Sequence, residues 1–115
     1  MYLIVLVIDN PYHCGNLLRA WEHAGVPGAT IIESRGLSRA LKGFRDDLPL
    51  MPTIDDLMQK SEHRHRTIFS VVSDRETIER VKVVSQKIIG SFEDEHTGFF
   101  FVVPVSEALG LRKPR

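Results

Sequence analysis

The chain has 115 residues, of which 43% are hydrophobic and 26% are charged, a composition that excludes intrinsic disorder and fits one globular domain over residues 1–115. Lysine plus arginine and aspartate plus glutamate each number 15, so the net charge of zero argues against a direct nucleic-acid partner. The single cysteine argues against a secreted disulfide scaffold and favours a cytoplasmic protein. The longest unbroken apolar run, residues 1–8, holds eight residues, far fewer than the roughly 20 that span a bilayer, so we expect no membrane insertion.

The first part of the chain has the pattern strand, helix, strand. Residues 3–8 form a continuous, largely β-branched run, which predicts a strand covered on both faces. Asn10 and Pro11 are typical of a helix start, and apolar residues then recur at helical spacing until Gly25 ends the helix. Residues 30–34 have the composition of a second, short strand.

The last part of the chain repeats this order. Residues 66–72 predict a strand, and the capping-box pattern that starts at Ser73 and ends at Glu76 predicts a helix start. Gly90 ends this helix, and residues 98–105 predict the last strand. The apolar stripe of the helix consists of Ile78, Val81, either Val84 or Ser85, and Ile88.

A long loop over about residues 37–65 separates the two parts, with one short helix expected near Thr53. The order β-α-β, loop, β-α-β predicts an α+β fold, a ferredoxin-like βαββαβ sandwich. Its helices would cover one face of the sheet. Because the first and last strands are apolar on both faces, we expect another subunit to cover the other face.

No spacing in the chain indicates a catalytic constellation, and we expect that the protein is not an enzyme. Cys14, next to His13 near a helix start, is the best candidate nucleophile, since a helix N-terminus lowers the pKa of a thiol. Adjacent residues of a helix do not face each other, however, so His13 is poorly placed to act as its base. We therefore expect Cys14 to be a half-buried structural residue.

Two groups of residues are candidates for metal ligands. His63 and His65 would share one side of an extended segment and offer two nitrogens, but a closed site needs more ligands. We expect them to be solvated loop histidines beside Arg64 and Arg66. Glu93, Asp94 and Glu95, followed by His96, predict an acidic surface turn, although a carboxylate cluster suits a hard cation.

Several sequence blocks occur in the order found in one known family. They are Pro11 with the Gly-x-x-Gly-x-Thr pattern of Gly25, Gly28 and Thr30, the segment Gly36-Leu37-Ser38-Arg39, the strand at residues 101–105, and Leu111-Arg112. On these blocks the chain resembles the P-II nitrogen regulatory signalling proteins. The resemblance covers most of the chain outside the loop.

The resemblance implies a ferredoxin-like homotrimer that binds ATP or ADP in clefts between subunits, joined by 2-oxoglutarate through Mg-ATP. Its long loop would contact a regulated enzyme, a transporter or a transcription factor. Carried over residue by residue, Thr30 would contact a base or sugar edge. Gly36 and Gly98 would let the backbone approach the ligand, and Arg39 and Arg112 would neutralise its charge.

This chain departs from the family pattern at three polar positions. A phosphate-binding lysine aligns with Phe99, an arginine with Gly110, and the glutamine that serves Mg and 2-oxoglutarate with Ala40. At about 1.5–3 kcal/mol for each hydrogen bond to a charged group, the two lost cations would weaken nucleotide binding by orders of magnitude. We expect a sensor of a small anionic ligand whose identity stays open, with no certain cofactor and without ordinary 2-oxoglutarate sensing.

A second hypothesis is a trimeric metal-handling or scaffold protein of the CutA type, which shares the architecture and needs no nucleotide. It predicts divalent-metal binding that depends on His63 and His65.

Overall fold

The computed structural model describes residues 1–35, 64–94 and 97–111. Within them the elements follow the predicted order, and the α+β ferredoxin-like fold is confirmed. They are strand β1 (Tyr2–Ile8), a 3-10 turn (Pro11–His13), helix α1 (Cys14–His23), strand β2 (Thr30–Arg35), strand β3 (Arg64–Val72), helix α2 (Arg75–Ile89) and strand β4 (Gly98–Pro104). The expected loop over residues 37–65 and its short helix near Thr53 lie outside the described residues, except for the first two residues of β3.

The four strands form one antiparallel sheet in the order β2-β3-β1-β4. β1 and β3 are central, and β2 and β4 are the two outer strands. In the middle of the sheet, Val5 pairs with Phe69 on one side and with Phe101 on the other, and Phe69 pairs in turn with Thr30. Side chains in register share a face, so this row crosses all four strands on one side of the sheet.

The hydrophobic core lies between the sheet and the two helices. Ile4, Leu6 and Ile8 alternate along β1 and are fully buried, as the two-residue period of a strand requires. They pack with a cluster from both helices, the turn after α1 and β3, which includes Leu17, Trp21, Ala24, Val26, Ile68, Val72, Ile78 and Val81. Each large side chain buried in this way contributes about 1.5–3 kcal/mol relative to exposure, so this layer holds the two helices on the sheet.

Helix capping differs from the prediction at one helix. Asn10 does cap, since its side chain accepts a hydrogen bond from the Tyr12 N–H, but it caps the 3-10 turn that leads into α1. The cap of α2 is Asp74 and not Ser73: the Asp74 carboxylate accepts from the Thr77 N–H at 2.7 Å. Helical geometry begins only at Arg75, so Asp74 is the residue from which a side chain reaches the third helical N–H.

The predicted helix ends are confirmed at both glycines. Gly90 directly follows α2 with a φ of +97°, and Gly25 follows the last turn of α1 with a φ of +104°, backbone angles that favour glycine. No helix among the described residues is long and apolar enough to cross a membrane.

Candidate ligand pocket

Two of the five predicted site residues belong to the described part of the chain, Thr30 and Gly98. Gly36, Arg39 and Arg112 lie outside it. Their predicted roles toward a ligand therefore stay predictions.

Thr30 lines a pocket of about 300 Å³. It is the first residue of the outer strand β2, and its side chain hydrogen-bonds to no other described residue. The walls come from the turn before β2, from β3 and from the C-terminal segment: Pro27, Gly28, Thr30, Phe69, Ser70, Val71, Ala108, Leu109, Gly110 and Leu111. Thr30 is thus brought together with three segments that are distant in sequence.

The C-terminal segment reaches this pocket from the opposite edge of the sheet. β4 is the outer strand farthest from β2, and the chain leaves it at Val105, whose N–H donates to the Met1 carbonyl at 3.0 Å. Residues 106–111 then pass along this end of the sheet to Thr30. Gly110 has a φ of +82°, a conformation that a side chain would strain, so glycine suits the turn beside the pocket.

The pocket walls are mainly apolar, and the described residues that line it carry no ionisable side chain. Phe69 and Val71 come from the sheet, and Leu109 and Leu111 from the C-terminal segment. The Ser70 hydroxyl is engaged, because it donates to the Gly28 carbonyl and so ties β3 to the turn before β2. The Thr30 hydroxyl and backbone groups of the turn and the C-terminal segment are the polar groups near the cavity.

Gly98 lies far from this pocket, at the start of the other outer strand, where it pairs with Ile8. A Cβ atom on Gly98 would lie 3.0 Å from both Ile89 Cδ1 and the Val7 carbonyl oxygen, tighter than nine in ten real Cβ contacts. Packing within the chain therefore accounts for glycine at this position. Since Thr30 and Gly98 are on opposite edges of the sheet, one chain does not bring both to one ligand.

The face of the sheet opposite the helices, here called the open face, is apolar. Phe99 is 63% exposed, and its ring lies 5.4 Å from the ring of Phe101, which is 38% exposed. Val103 on β4 and Ile32 on β2 are exposed as well. Apart from the C-terminal segment at one end, no described element covers this face, as predicted. That a second subunit covers it stays a prediction.

The expectation of a solvated loop histidine is wrong for His65. β3 begins at Arg64, two residues before the predicted start, so His65 lies within the sheet and is only 8% exposed. His65 Nδ1 is 3.5 Å from Asp9 Oδ1, and its Nε2 is buried with no hydrogen-bond partner in the described part of the chain. Pairing with β2 extends the sheet to this residue, which the composition of the segment alone did not indicate.

No group of three metal-binding side chains occurs among residues 1–35, 64–94 and 97–111. His63, the second histidine of the predicted pair, lies outside the described residues, as do Glu95 and His96 of the acidic turn. The metal-handling hypothesis therefore has one described ligand in the chain, His65.

Cys14 is half-buried, as predicted, and contacts the core. Burial raises the pKa of the Cys14 thiol, and the positive charge of Arg66 opposes this with a smaller effect. At neutral pH such a thiol is less ionised than a free one, which argues against a nucleophilic role. His13 makes no side-chain capping contact at the start of α1.

Phe69 and Val71 are pocket residues that the sequence reasoning missed. The two-residue period of β3 places them on one face, and this signal was available in the sequence. Which of the two faces meets the Thr30 end of β2 depends on strand order and register, which the period does not reveal.

Comparison with known proteins identifies the fold. No protein-family model matches the chain, and no curated protein matches its sequence. Among solved structures, it is similar to GlnK of B. subtilis, a P-II protein, with a TM-score of 0.58 and 16% sequence identity, over 91% of this chain and 85% of that chain. At this identity the likeness shows the fold alone: the chain has a P-II-like ferredoxin fold.

Proposed function

We propose that the chain is a non-catalytic, cytoplasmic P-II-like regulatory protein of nitrogen or related carbon metabolism. It forms a homotrimer, binds a small anionic ligand such as an adenine nucleotide in the clefts between copies, and relays the ligand's presence through residues 37–65. The recipient is a partner enzyme, transporter or transcription factor. The observation that carries this proposal is the pocket on this P-II-like fold that Thr30 lines. Thr30 is a residue for which the family resemblance implies ligand contact.

The sequence that follows the pocket residues supports a role for Arg112 in neutralising the charge of the ligand. Leu111 lines the pocket, and Arg112 is the next residue in the chain. A guanidinium beside an apolar pocket would neutralise a ligand's negative charge while the uncharged part lies inside. Arg39 has the same proposed role.

The separation of Thr30 and Gly98 supports a site made by two copies. If both contact one ligand, as the resemblance implies, Thr30 comes from one subunit and Gly98 from its neighbour, because the two lie on opposite edges of the sheet. The exposed aromatic and aliphatic side chains of the open face supply the apolar area that association of copies needs.

The proposal covers only some of the ligands that P-II proteins bind. 2-Oxoglutarate with Mg²⁺ is not part of the proposal, because the glutamine that serves both in the family aligns with Ala40. The raised pKa of the Cys14 thiol supports a binding function without covalent catalysis.

The test combines thermal unfolding with sedimentation. Unfolding is followed with ATP, ADP, AMP, cyclic nucleotides, 2-oxoglutarate with Mg-ATP, bicarbonate and divalent metals, each at millimolar concentration. A ligand at a hundred times its Kd adds about 2.7 kcal/mol, which raises Tm by several degrees or more in a domain of this size. We expect a shift with a nucleotide and a trimer at micromolar concentration.

Thr30→Val provides the variant test, since it removes the hydroxyl and keeps the shape of the side chain. We expect a smaller ligand-induced shift with the Tm of the free protein unchanged. A monomer in sedimentation would overturn the proposal, because the clefts would not exist. A shift with metals alone that disappears in His65→Ala would favour the metal-handling hypothesis instead.

A further inference from the structure

Positive charge is concentrated where β2 ends and β3 begins. Arg35 pairs in register with Arg64, and two positions away Glu33 pairs with Arg66. Like charges at directly opposite positions destabilise a strand pair, so the stability of the sheet does not account for two arginines there. Among the described residues at this end of the sheet, the arginines Arg35, Arg64 and Arg66 outnumber the carboxylates Glu33 and Asp9.

The side chains of Arg35 and Arg66 belong to the helix side of the sheet. Arg66 pairs with Ile8, which is fully buried beneath the helices, and residues in register share a face. The two-residue period of a strand gives Arg35 the same face as Glu33, the partner of Arg66. The two cations are therefore neighbours on one surface, away from the open face.

Both arginines have hydrogen-bonding capacity left for a carboxylate of another molecule. Arg35 is half-buried and forms no ion pair with any other described residue. Arg66 Nη1 is 3.6 Å from Glu33 Oε2, and these side chains are 39% and 45% exposed. An exposed ion pair of this kind contributes little to stability, and a guanidinium has five N–H donors, so Arg66 can bind a further carboxylate.

An exposed aromatic side chain lies at the same end of the sheet. The 3-10 turn Pro11–His13 follows β1 and contacts β3, and Tyr12 in this turn is 90% exposed. Tyrosine and arginine are among the residue types that contribute most of the binding energy at protein interfaces. Their combination suits a protein partner better than a small anion.

We propose that Tyr12, Arg35 and Arg66, here called the basic surface, bind an acidic segment of the partner protein. This inference rests on the proposed function, in which residues 37–65 reach a partner, and it specifies the chemistry of that partner. Arg35 and Arg66 flank those residues in the chain, so a protein that contacts the segment also meets the basic surface. The zero net charge of the chain makes a nucleic acid a poor alternative.

The first experiment uses labelled ten-residue peptides and fluorescence anisotropy with the full-length protein. The acidic probe alternates glutamate and valine, and the control peptide alternates glutamine and valine. We expect the acidic probe to bind about tenfold more tightly than the control, with an affinity that falls as NaCl is raised. In the NMR spectrum, the amide signals of residues 33–35 and 66–68 shift on addition of the acidic probe.

The second experiment measures the affinity of the acidic probe for three variants of the basic surface. We expect Arg35→Gln and Arg66→Gln each to weaken binding by about 1.5- to 5-fold, the range for an exposed charge pair. Tyr12→Ala weakens binding as well. Glu33→Gln provides a test of opposite sign: it removes the carboxylate that competes for Arg66 and strengthens binding, a gain that misfolding does not produce.

Arg75→Gln is the matched control, because it removes the same charge at the opposite end of β1. The Arg75 guanidinium lies over the ring of Tyr2 at 5.8 Å, and Tyr2 pairs with Val72 at the far end of β3. We expect this variant to bind the acidic probe as wild type does. A loss equal to that of Arg66→Gln would show a general effect of net charge and would overturn the inference.

The outcomes separate this inference from the proposed function. Equal affinity for the acidic and the control peptide, or an unchanged affinity in Arg35→Gln and Arg66→Gln, overturns the basic surface and leaves ligand sensing untouched. Displacement of the probe by an equal concentration of pyrophosphate would assign the surface to small anions and also overturn the inference. A wild type that binds the probe at this surface but is monomeric and shows no nucleotide-induced shift in Tm would overturn the proposed function alone.

Discussion

The indole of Trp21 and the hydroxyl of Ser85 form a buried hydrogen bond that joins the two helices. Trp21 Nε1 donates to Ser85 Oγ at 2.9 Å, and the two residues are 1% and 0% exposed. The bond connects residues 64 positions apart in the chain. It explains why a polar residue occupies the apolar stripe of α2: the indole N–H would otherwise be buried without an acceptor.

Replacing the acceptor tests how much this hydrogen bond contributes to the free energy of unfolding. Ser85→Ala leaves the indole N–H buried and unpaired, so we expect a loss of about 1–3 kcal/mol in the free energy of unfolding, measured by urea titration. In Trp21→Phe the large loss of packing dominates, and adding Ser85→Ala to it then costs less than it does in wild type. Equal costs in both backgrounds would show that the hydrogen bond contributes nothing. Circular dichroism is the readout, because Trp21 is the single tryptophan.

The two neighbouring candidates for the cap of α2 can be compared directly. We expect Asp74→Ala to lower Tm, since it removes the acceptor for the Thr77 N–H, and Ser73→Ala to leave Tm within about 1 °C of wild type. Both side chains are exposed, so the pair is matched for burial. An equal effect of the two substitutions would contradict the assignment of Asp74 as the cap.

The same carboxylate makes stability depend on pH. The hydrogen bond from the Thr77 N–H lowers the pKa of Asp74 in the folded state below its ordinary value. A lowered folded-state pKa contributes stability above the unfolded value of about 3.9, and this stability is lost as pH falls through the folded-state value. We expect Asp74→Asn, which still caps, to lose less stability than wild type between pH 5 and pH 2. Parallel profiles of unfolding free energy would refute the contribution.

A substitution at Gly98 tests whether packing within the chain is sufficient to require glycine at this position. Gly98→Ala brings a Cβ to within 3.0 Å of Ile89 Cδ1 and of the Val7 carbonyl oxygen, and the backbone atom has little freedom to move. We expect a loss of about 1–3 kcal/mol without any ligand present, by urea unfolding. Gly28→Ala is the control, because nothing lies within 4 Å of its Cβ position. A Gly98→Ala variant as stable as the control would point to a role for Gly98 outside packing.

Cys14 is expected to react slowly with alkylating reagents. Burial raises the pKa of its thiol, so at pH 7.5 less thiolate is present than in an unstructured peptide, and access is restricted as well. We expect iodoacetamide to modify the native protein more slowly than a cysteine peptide, and the urea-unfolded chain at the peptide's rate. Native Cys14 that reacts faster than the peptide would restore the hypothesis of a catalytic thiol.

Much of the fold could be predicted because its signals are local in the chain. The continuous apolar run of β1, the helical spacing of Ile78 and Val81 and the glycine after each helix depend only on near neighbours. Their order then limits the topology to a sandwich of two βαβ units. The comparison with GlnK agrees with that architecture.

Two details of α2 could not be settled from the sequence, because neighbouring residues carry the same signal. Ser73 and Asp74 both suit a helix start, and the backbone geometry at Arg75 selects Asp74. Val84 and Ser85 both fit the stripe of α2, and the partner offered by Trp21 accounts for the complete burial of Ser85. The sequence also missed the burial of His65: pairing with Ser34 of β2 extends β3 beyond its predicted start and brings the ring beside Asp9.

The sequence by itself therefore determined which segments are strands and helices and where the helices end, because each depends on a short-range period or a terminal glycine. Only the tertiary structure decided that Thr30, Phe69 and residues 108–111 share one pocket and that Gly98 lies on the opposite edge. Such proximities depend on strand order and register. A shift of register by one residue would turn Phe69 to the other face and remove the pocket wall without changing any local pattern.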